Sequence, residues 1–291
     1  MKINSEIKKS FDFHNLAMVS KETDVKLDQV TLDTKLTRNI DLKIPLISAA
    51  HESVTDSTMA IEMARFGGVG ILHSNITMMK LVEEITKVKQ ADAGDAYPYA
   101  TKDEKGKLVV AALLRQGADS FEHAAVLADA GLDVLFLEGN HLNTREVAET
   151  VKALRRQKPD LQIIAGNVFS AADVRMFIES GADGVKLGGR KQILEKLGVD
   201  VLSFQAMIDI ISEASVSLSP VIFDDDVNNS PLLAKIIGAG FSAVTLKEVL
   251  TSGNVKSVID NLTTSLKATM AYTGNNSIKT FVDNVEFSCI S

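Results

Sequence analysis

Residues 159–188 read PDLQIIAGNVFSAADVRMFIESGADGVKLG, and this stretch holds a complete strand–helix–strand unit. The run 162–168 (QIIAGNV) is almost continuously apolar, as a parallel strand covered on both faces must be. A helical period follows over 171–180, with a serine start and a stop at Gly181. The next apolar run, 184–188 (GVKLG), then predicts a second strand. Two parallel strands joined through a helix make a right-handed crossover.

The same unit repeats along the chain. Apolar runs lie at 44–50 (IPLISAA), 69–73 (VGILH), 108–114 (LVVAALL), 134–139 (VLFLEG), 220–224 (PVIFD) and 242–247 (SAVTLK), which makes eight strands in all. Amphipathic stretches predict helices over 58–66, 78–90, 120–130, 144–157, 202–215, 231–239 and 255–272. A glycine-centred phrase recurs before strands, as in DAGLDVLF, ESGADGVKL and GAGFSAVTL, and marks a helix C-cap turning into the next strand. Eight such units predict a (β/α)8 TIM barrel, with a doubly wound open sheet as the alternative. One domain over 1–291 is expected, with an N-terminal extension over about 1–40. The long polar connection 91–107 (ADAGDAYPYATKDEKGK) reads as a surface excursion.

Composition narrows the function. The 291 residues are 45% hydrophobic and 24% charged, an ordinary globular balance. A net charge of −7 argues against nucleic acid or an anionic membrane as partner. The single cysteine, Cys289, excludes an internal disulfide, and no run reaches the roughly 18 apolar residues of a membrane span. With no apolar leader in MKINSEIKKSFDF, the expected location is the cytoplasm.

Four ordered phrases resemble the IMP dehydrogenase/GMP reductase family, and together they cover nearly the whole chain. IPLISAAHESVTDSTMAIEMARFGGVGILHSNIT is similar to that family's first strand–helix–strand unit, with its "SAAMDTVTE" and "GGIGFIHKN". PYATKDEKGKLVVAALL resembles the segment where a regulatory insert rejoins the barrel in many dehydrogenases; no insert is present here. Residues 159–188 are close to "PDLQIIGGNV…GADAVKVG". LKATMAYTGNNSIKTFVDNVEF resembles "LRAGMGYTGAATIEEL…FVRI". The resemblance implies a barrel, NAD(P) as cofactor if the family activity is retained, and a homo-oligomer with a tetramer favoured.

The departures fall on the chemistry. Where the family carries "GIGPGSICTT", whose cysteine attacks purine C2, this chain has LGGRKQILEKLGVDVLS. A covalent mechanism of that kind needs the thiolate. Where the family has "ADGGI", residues 223–227 read FDDDV. The resemblance leaves Asp224 as the ribose-type aspartate, and both phosphate-approaching glycines become aspartates. A phosphate about 5 Å from a carboxylate meets roughly 3 kcal/mol of repulsion per unit-charge pair at an effective dielectric near 20. The family's phosphate-binding "GS" after the eighth strand is Lys247-Glu248 here. Between that strand and the last helix there is only VLTSG, and the family's flap with its arginine–tyrosine pair is missing.

The C-terminal ends of barrel strands build the active face, so polar residues there are the candidates. Glu138, Asp224 and His51 are candidates for acid/base work. Ser48, Glu52, Asn75, Asn140, His141, Asn167, Lys186, Asp225 and Lys247 are candidates for holding a small molecule. The resemblance places Ser48 and Asn167 near the nucleotide and puts Glu138 where an aspartate contacts the nicotinamide ribose. No HxH, HExxH or CxxC spacing fixes a metal, and none is expected. His73 reads as structural, His123 as a solvent-facing helix residue, and Met59, Met63, Met78 and Met79 as packing. Three functions remain open: a small-molecule-binding or regulatory barrel without nucleotide oxidoreductase chemistry, an enzyme using the mouth carboxylates for another reaction, and a nucleotide oxidoreductase with a redesigned loop.

Overall fold

The computed structural model describes residues 12–139, 144–188, 203–225, 227, 229–247 and 254–290. The N-terminal segment lays down three short strands: β1 (Leu16–Met18), β2 (Thr34–Lys35) and β3 (Asp41–Leu42). Eight longer apolar runs then become β4 (Leu46–Ser48), β5 (Val69–Leu72), β6 (Ala111–Arg115), β7 (Val134–Glu138), β8 (Gln162–Gly166), β9 (Gly184–Gly188), β10 (Val221–Asp224) and β11 (Ala243–Leu246). These eight pair in parallel and close, with β11 against β4 and β10 against β9, so the sheet is a barrel and the open-sheet alternative is excluded.

Helices α1 (Ser57–Arg65), α2 (Met78–Gln90), α3 (Ser120–Asp129), α4 (Thr144–Gln157), α5 (Ala171–Glu179), α6 (Phe204–Val216), α7 (Ser230–Gly238) and α8 (Val255–Tyr272) connect or follow the strands. Their entries are chemically specified: Asp56, Thr77, Ser170, Ser203 and Asn229 each accept a backbone N–H three residues on. None among the described residues is long and apolar enough to cross a membrane. A further helix α9 (Ile278–Asn284), capped by Ser277, precedes β12 (Phe287–Cys289). Strand β12 pairs antiparallel with β1, bringing residues 16–18 beside 287–289.

Side chains alternate across each strand, so the barrel has two apolar cores. Ile47, Ile71, Ala111, Phe136, Ile164, Ile222 and Ala243 fill the interior. Leu46, Leu72, Ala112, Leu135, Ala165, Val185 and Val244 face the helices. Leu36 and Leu42, from the β2–β3 hairpin, join the interior cluster and close its N-terminal end. Thr37 Oγ1 fixes the hairpin by donating to Gln162 Oε1 at 2.9 Å.

The recurring glycine phrase has a physical basis here. Gly131 and Gly181 follow α3 and α5 with φ of 98° and 102°, a backbone region that a side chain disfavours. Two residues later Asp133 and Asp183 accept the backbone N–H of Val110, just before β6, and of Ile163 on β8, both at 2.8 Å. Each also holds a cation from an earlier helix, Lys89 and Arg155 respectively. Burial pushes the Asp133 carboxyl up, and Lys89 only partly offsets this.

One expectation needs correction. Strand β6 begins at Ala111, because Leu108 and Val109 pair with Lys102 and Thr101 of the preceding connection. Residues 91–107 are therefore not wholly superficial: Thr101 is 4% exposed, and Tyr97 packs edge-on against Phe66.

Candidate ligand-binding site at the barrel mouth

The interior alternation that buries Phe136, Ile164, Ile222 and Ala243 continues two residues further on each strand. It brings Glu138, Gly166, Asp224 and Thr245 to the inner rim, with Lys186 on the same side of β9. Register makes Arg115 the neighbour of Glu138, Glu138 of Gly166, Gly166 of Lys186 and Gly188 of Asp224. The two glycines make room for the charged groups. A Cβ on Gly166 would lie 2.9 Å from the Lys186 carbonyl oxygen, and one on Gly188 would lie 2.6 Å from Asp224 Cβ.

Lys186 is 2% exposed. Its ammonium donates to Asp224 Oδ2 at 2.5 Å and to Glu138 Oε1 at 3.0 Å. Asn167 Nδ2 donates to the same Glu138 oxygen at 2.9 Å. Thr245 Oγ1 donates to Asp224 Oδ1 at 2.5 Å, and Lys247 Nζ stands 3.4 Å from that oxygen. Burial would push the Asp224 carboxyl up, but Lys186 and Lys247 outweigh it and hold the group well below the usual carboxylate range. For Glu138 burial again raises the value, and Lys186 and Asn167 leave it lowered. Burial pulls the Lys186 pKa down; Asp224 and Glu138 outweigh this and raise it.

The two carboxylates are thus not equivalent. Asp224 has donors on both oxygens and serves as a counter-charge. Glu138 uses Oε1 for Lys186 and Asn167, while Oε2 faces only Arg115 Nε, at 4.0 Å, among the described residues. A second unused acceptor adjoins it: Asn167 Oδ1 is buried without a hydrogen-bond partner.

Of the predicted residues, Glu138, Asn167, Lys186, Asp224 and Lys247 come together. Asp225 follows directly, half-buried. Ser48 does not join them: it is 0% exposed, and its hydroxyl, accepting from Thr55 Oγ1 at 2.9 Å, lies against the α1 side of the sheet. His51, Glu52 and Asn75 are exposed on the loops after β4 and β5, where His51 Nδ1 pairs with Ser53 Oγ at 2.8 Å. His73 Nδ1 accepts the Asn75 N–H at 3.2 Å. Asn140 and His141 lie outside the described residues, as do Arg190, Lys191, Asp226 and Glu248. Sequence reasoning missed Arg115 and Thr245. Both have the inward parity of their strands, and counting by two from Ala111 and Ala243 would have found them.

Comparison with known proteins gives consistent results. The family model described as IMP dehydrogenase / GMP reductase domain matches residues 10–252. Inosine-5'-monophosphate dehydrogenase of Cryptosporidium parvum is 33% identical over 276 residues, covering 84% of this chain and 68% of that protein. The enzyme of Borreliella burgdorferi is 28% identical over 314 residues, with 94% and 78% covered. For Aquifex aeolicus the match is 25% over 367 residues, with 86% and 75% covered. The last match is longer than the 291 residues of this chain, so that relative carries inserted sequence absent here.

Proposed function

Because the chain belongs to the IMP dehydrogenase/GMP reductase family, we propose that it is a barrel that has given up covalent nucleotide chemistry and binds an unphosphorylated small molecule at its mouth. The observation that carries this reading is the position of its one cysteine. Cys289 is exposed on the β1–β12 ribbon, opposite Leu16, and not on a strand of the barrel. The loop after β9, where the family holds its nucleophile, contains no cysteine at all.

The mouth residues support binding. Lys186 bridges the two inner carboxylates, while Glu138 Oε2 and Asn167 Oδ1 offer acceptors to a ligand donor. The residues do not fit NAD(P)-dependent oxidation, since no thiolate at the mouth would hold a purine for hydride removal, and no step through the dinucleotide is derived. Asp224 also lacks a free oxygen for general-base work. Re-use of Glu138 for another reaction is the second reading, favoured by that carboxylate's single unused oxygen. Homo-oligomerisation, with a tetramer favoured, belongs to the same proposal; exposed Val19, Tyr272, Val282 and Ile290 on the terminal segments support it.

Intact-protein mass spectrometry after incubation with IMP and NAD tests the reading. The expected spectrum shows the unmodified chain alone. A nucleotide adduct that peptide mapping places on Cys289 would contradict it.

A further inference from the structure

We propose that a groove at the N-terminal end of the barrel, opposite the mouth, docks an acidic peptide segment of a partner protein. The groove has a volume of about 980 Å³ and is lined by residues drawn from 39–43, 100–109, 128–133 and 157–162. These segments lead into β4, β6, β7 and β8, so the site is separate from the mouth and does not depend on what binds there. One wall is the hairpin 101–109, in which Val109 N–H donates to the Thr101 carbonyl at 3.0 Å. Asp103 fixes its turn. Oδ1 accepts the N–H of Lys105 and Lys107, at 2.9 and 2.8 Å, and Oδ2 accepts from Lys89 Nζ at 2.8 Å. Lys102, Lys105 and Lys107 are thereby presented from one ordered turn, and all three are exposed.

Charge decides the occupant. Most carboxylates of the groove are already committed: Asp103 and Asp133 to Lys89, Asp129 to Lys158, and Asp41 to Lys35. The three hairpin lysines have no carboxylate in ion-pair contact among the described residues, and the uncommitted carboxylates are Glu104 and Asp160. Free positive charge is therefore concentrated on one wall, in a chain whose net charge is −7. Exposed charges more than roughly 8 Å away are screened at physiological salt, so the near lysines set the local preference. A compact polyphosphate would hold its charge among Glu104, Asp129 and Asp160 as well as the lysines. An extended peptide spreads single carboxylates along the lysine wall and turns neutral backbone to the rest. Thr101, 4% exposed on the same hairpin, keeps Oγ1 without a hydrogen-bond partner, a group that a peptide N–H or C=O would complete.

The test is a fluorescence-anisotropy titration of the full chain with labelled hexaglutamate, beside labelled hexalysine, with inorganic tripolyphosphate as competitor. Hexaglutamate is expected to bind and hexalysine is not. The triple variant Lys102→Glu, Lys105→Glu, Lys107→Glu should weaken hexaglutamate about tenfold or more, because three exposed attractions become repulsions. Its circular dichroism should match the wild type, since all three side chains are exposed. A second triple variant, Lys26→Glu, Lys256→Glu, Lys279→Glu, changes the net charge equally at exposed positions that do not line the groove. It should weaken the peptide no more than about twofold, because distant charges are screened. Equal losses in the two triple variants, or no binding of hexaglutamate to the wild type, overturns the proposal. If tripolyphosphate binds more tightly than hexaglutamate and the hairpin variant abolishes it, the occupant is a phosphate anion and the peptide assignment is wrong.

Discussion

Purified protein supplied with IMP and NAD, or with GMP and NADPH, is expected to show no turnover above the enzyme-free rate. The resemblance to the family implies a route through a bond from cysteine sulfur to purine C2, and residues 188–192 (GGRKQ) contain no group that forms it. Removing a covalent nucleophile from an enzyme costs up to a millionfold in rate, because binding and electrostatics do not replace the lost step. The missing arginine–tyrosine flap would block hydrolysis even of an adduct that formed. The assay should include Cys289→Ser, since that is the chain's only thiol. Turnover in the wild type but not the serine variant would mean that the β1–β12 ribbon serves the mouth. Turnover in both would mean that the chemistry runs without cysteine.

Lys186→Met is expected to destabilise the barrel by about 3–5 kcal/mol, which lowers the melting temperature by roughly ten degrees. The substitution keeps the volume of the buried stem but leaves Asp224 and Glu138 facing each other without their shared cation. The pH dependence follows from the directions of the shifts. In the wild type the lowered carboxyls contribute stability above their unfolded values, about 3.9 and 4.3, and lose it as pH falls through the still lower folded values. Raised Lys186 contributes fully below about 10.4 and loses its contribution as pH rises through its folded value. In Lys186→Met the crowded carboxylates acquire raised values, so the deficit should shrink as pH is taken from 7 towards 4. Adding Asp224→Asn should restore at least half of the lost stability at pH 7. Thermal melts across that pH range check both claims; a single variant as stable as wild type would show that the triad is not what holds the mouth.

The barrel was legible in the sequence because each strand is apolar on both faces and each helix is punctuated by local chemistry that needs no partner elsewhere. Helices 78–90, 144–157 and 255–272 were found at their predicted limits for that reason. Strand β6 started later than expected because Leu108 and Val109 pair with a connection whose own residues look like an exposed loop. The β2–β3 hairpin left little trace, since a two-residue strand shows no period; its two inward leucines have meaning only once the barrel above them is closed. At the site, strand-end counting located Glu138, Asn167, Lys186 and Asp224 but not their pairing. That Asp224 is saturated while Glu138 keeps an oxygen free depends on Thr245 and Lys247, which arrive from a strand more than 20 residues away. Ser48 illustrates the opposite limit: its position in the chain puts it at a strand end, and its parity turns it away from the mouth.

A thermal-shift titration with IMP, run beside inosine, bears most directly on the claim that the mouth no longer holds a nucleotide phosphate. A ligand at about 100 times its dissociation constant adds about 2.7 kcal/mol of stability, an effect well above the noise of a melt. Asp225 directly follows β10, at a position where the resemblance to the family implies a glycine, and its side chain is expected to disfavour the close backbone approach a phosphate needs there. IMP at millimolar concentration is therefore predicted to leave the melting temperature unchanged, whether or not inosine raises it; a reproducible, saturable rise with IMP would contradict the account.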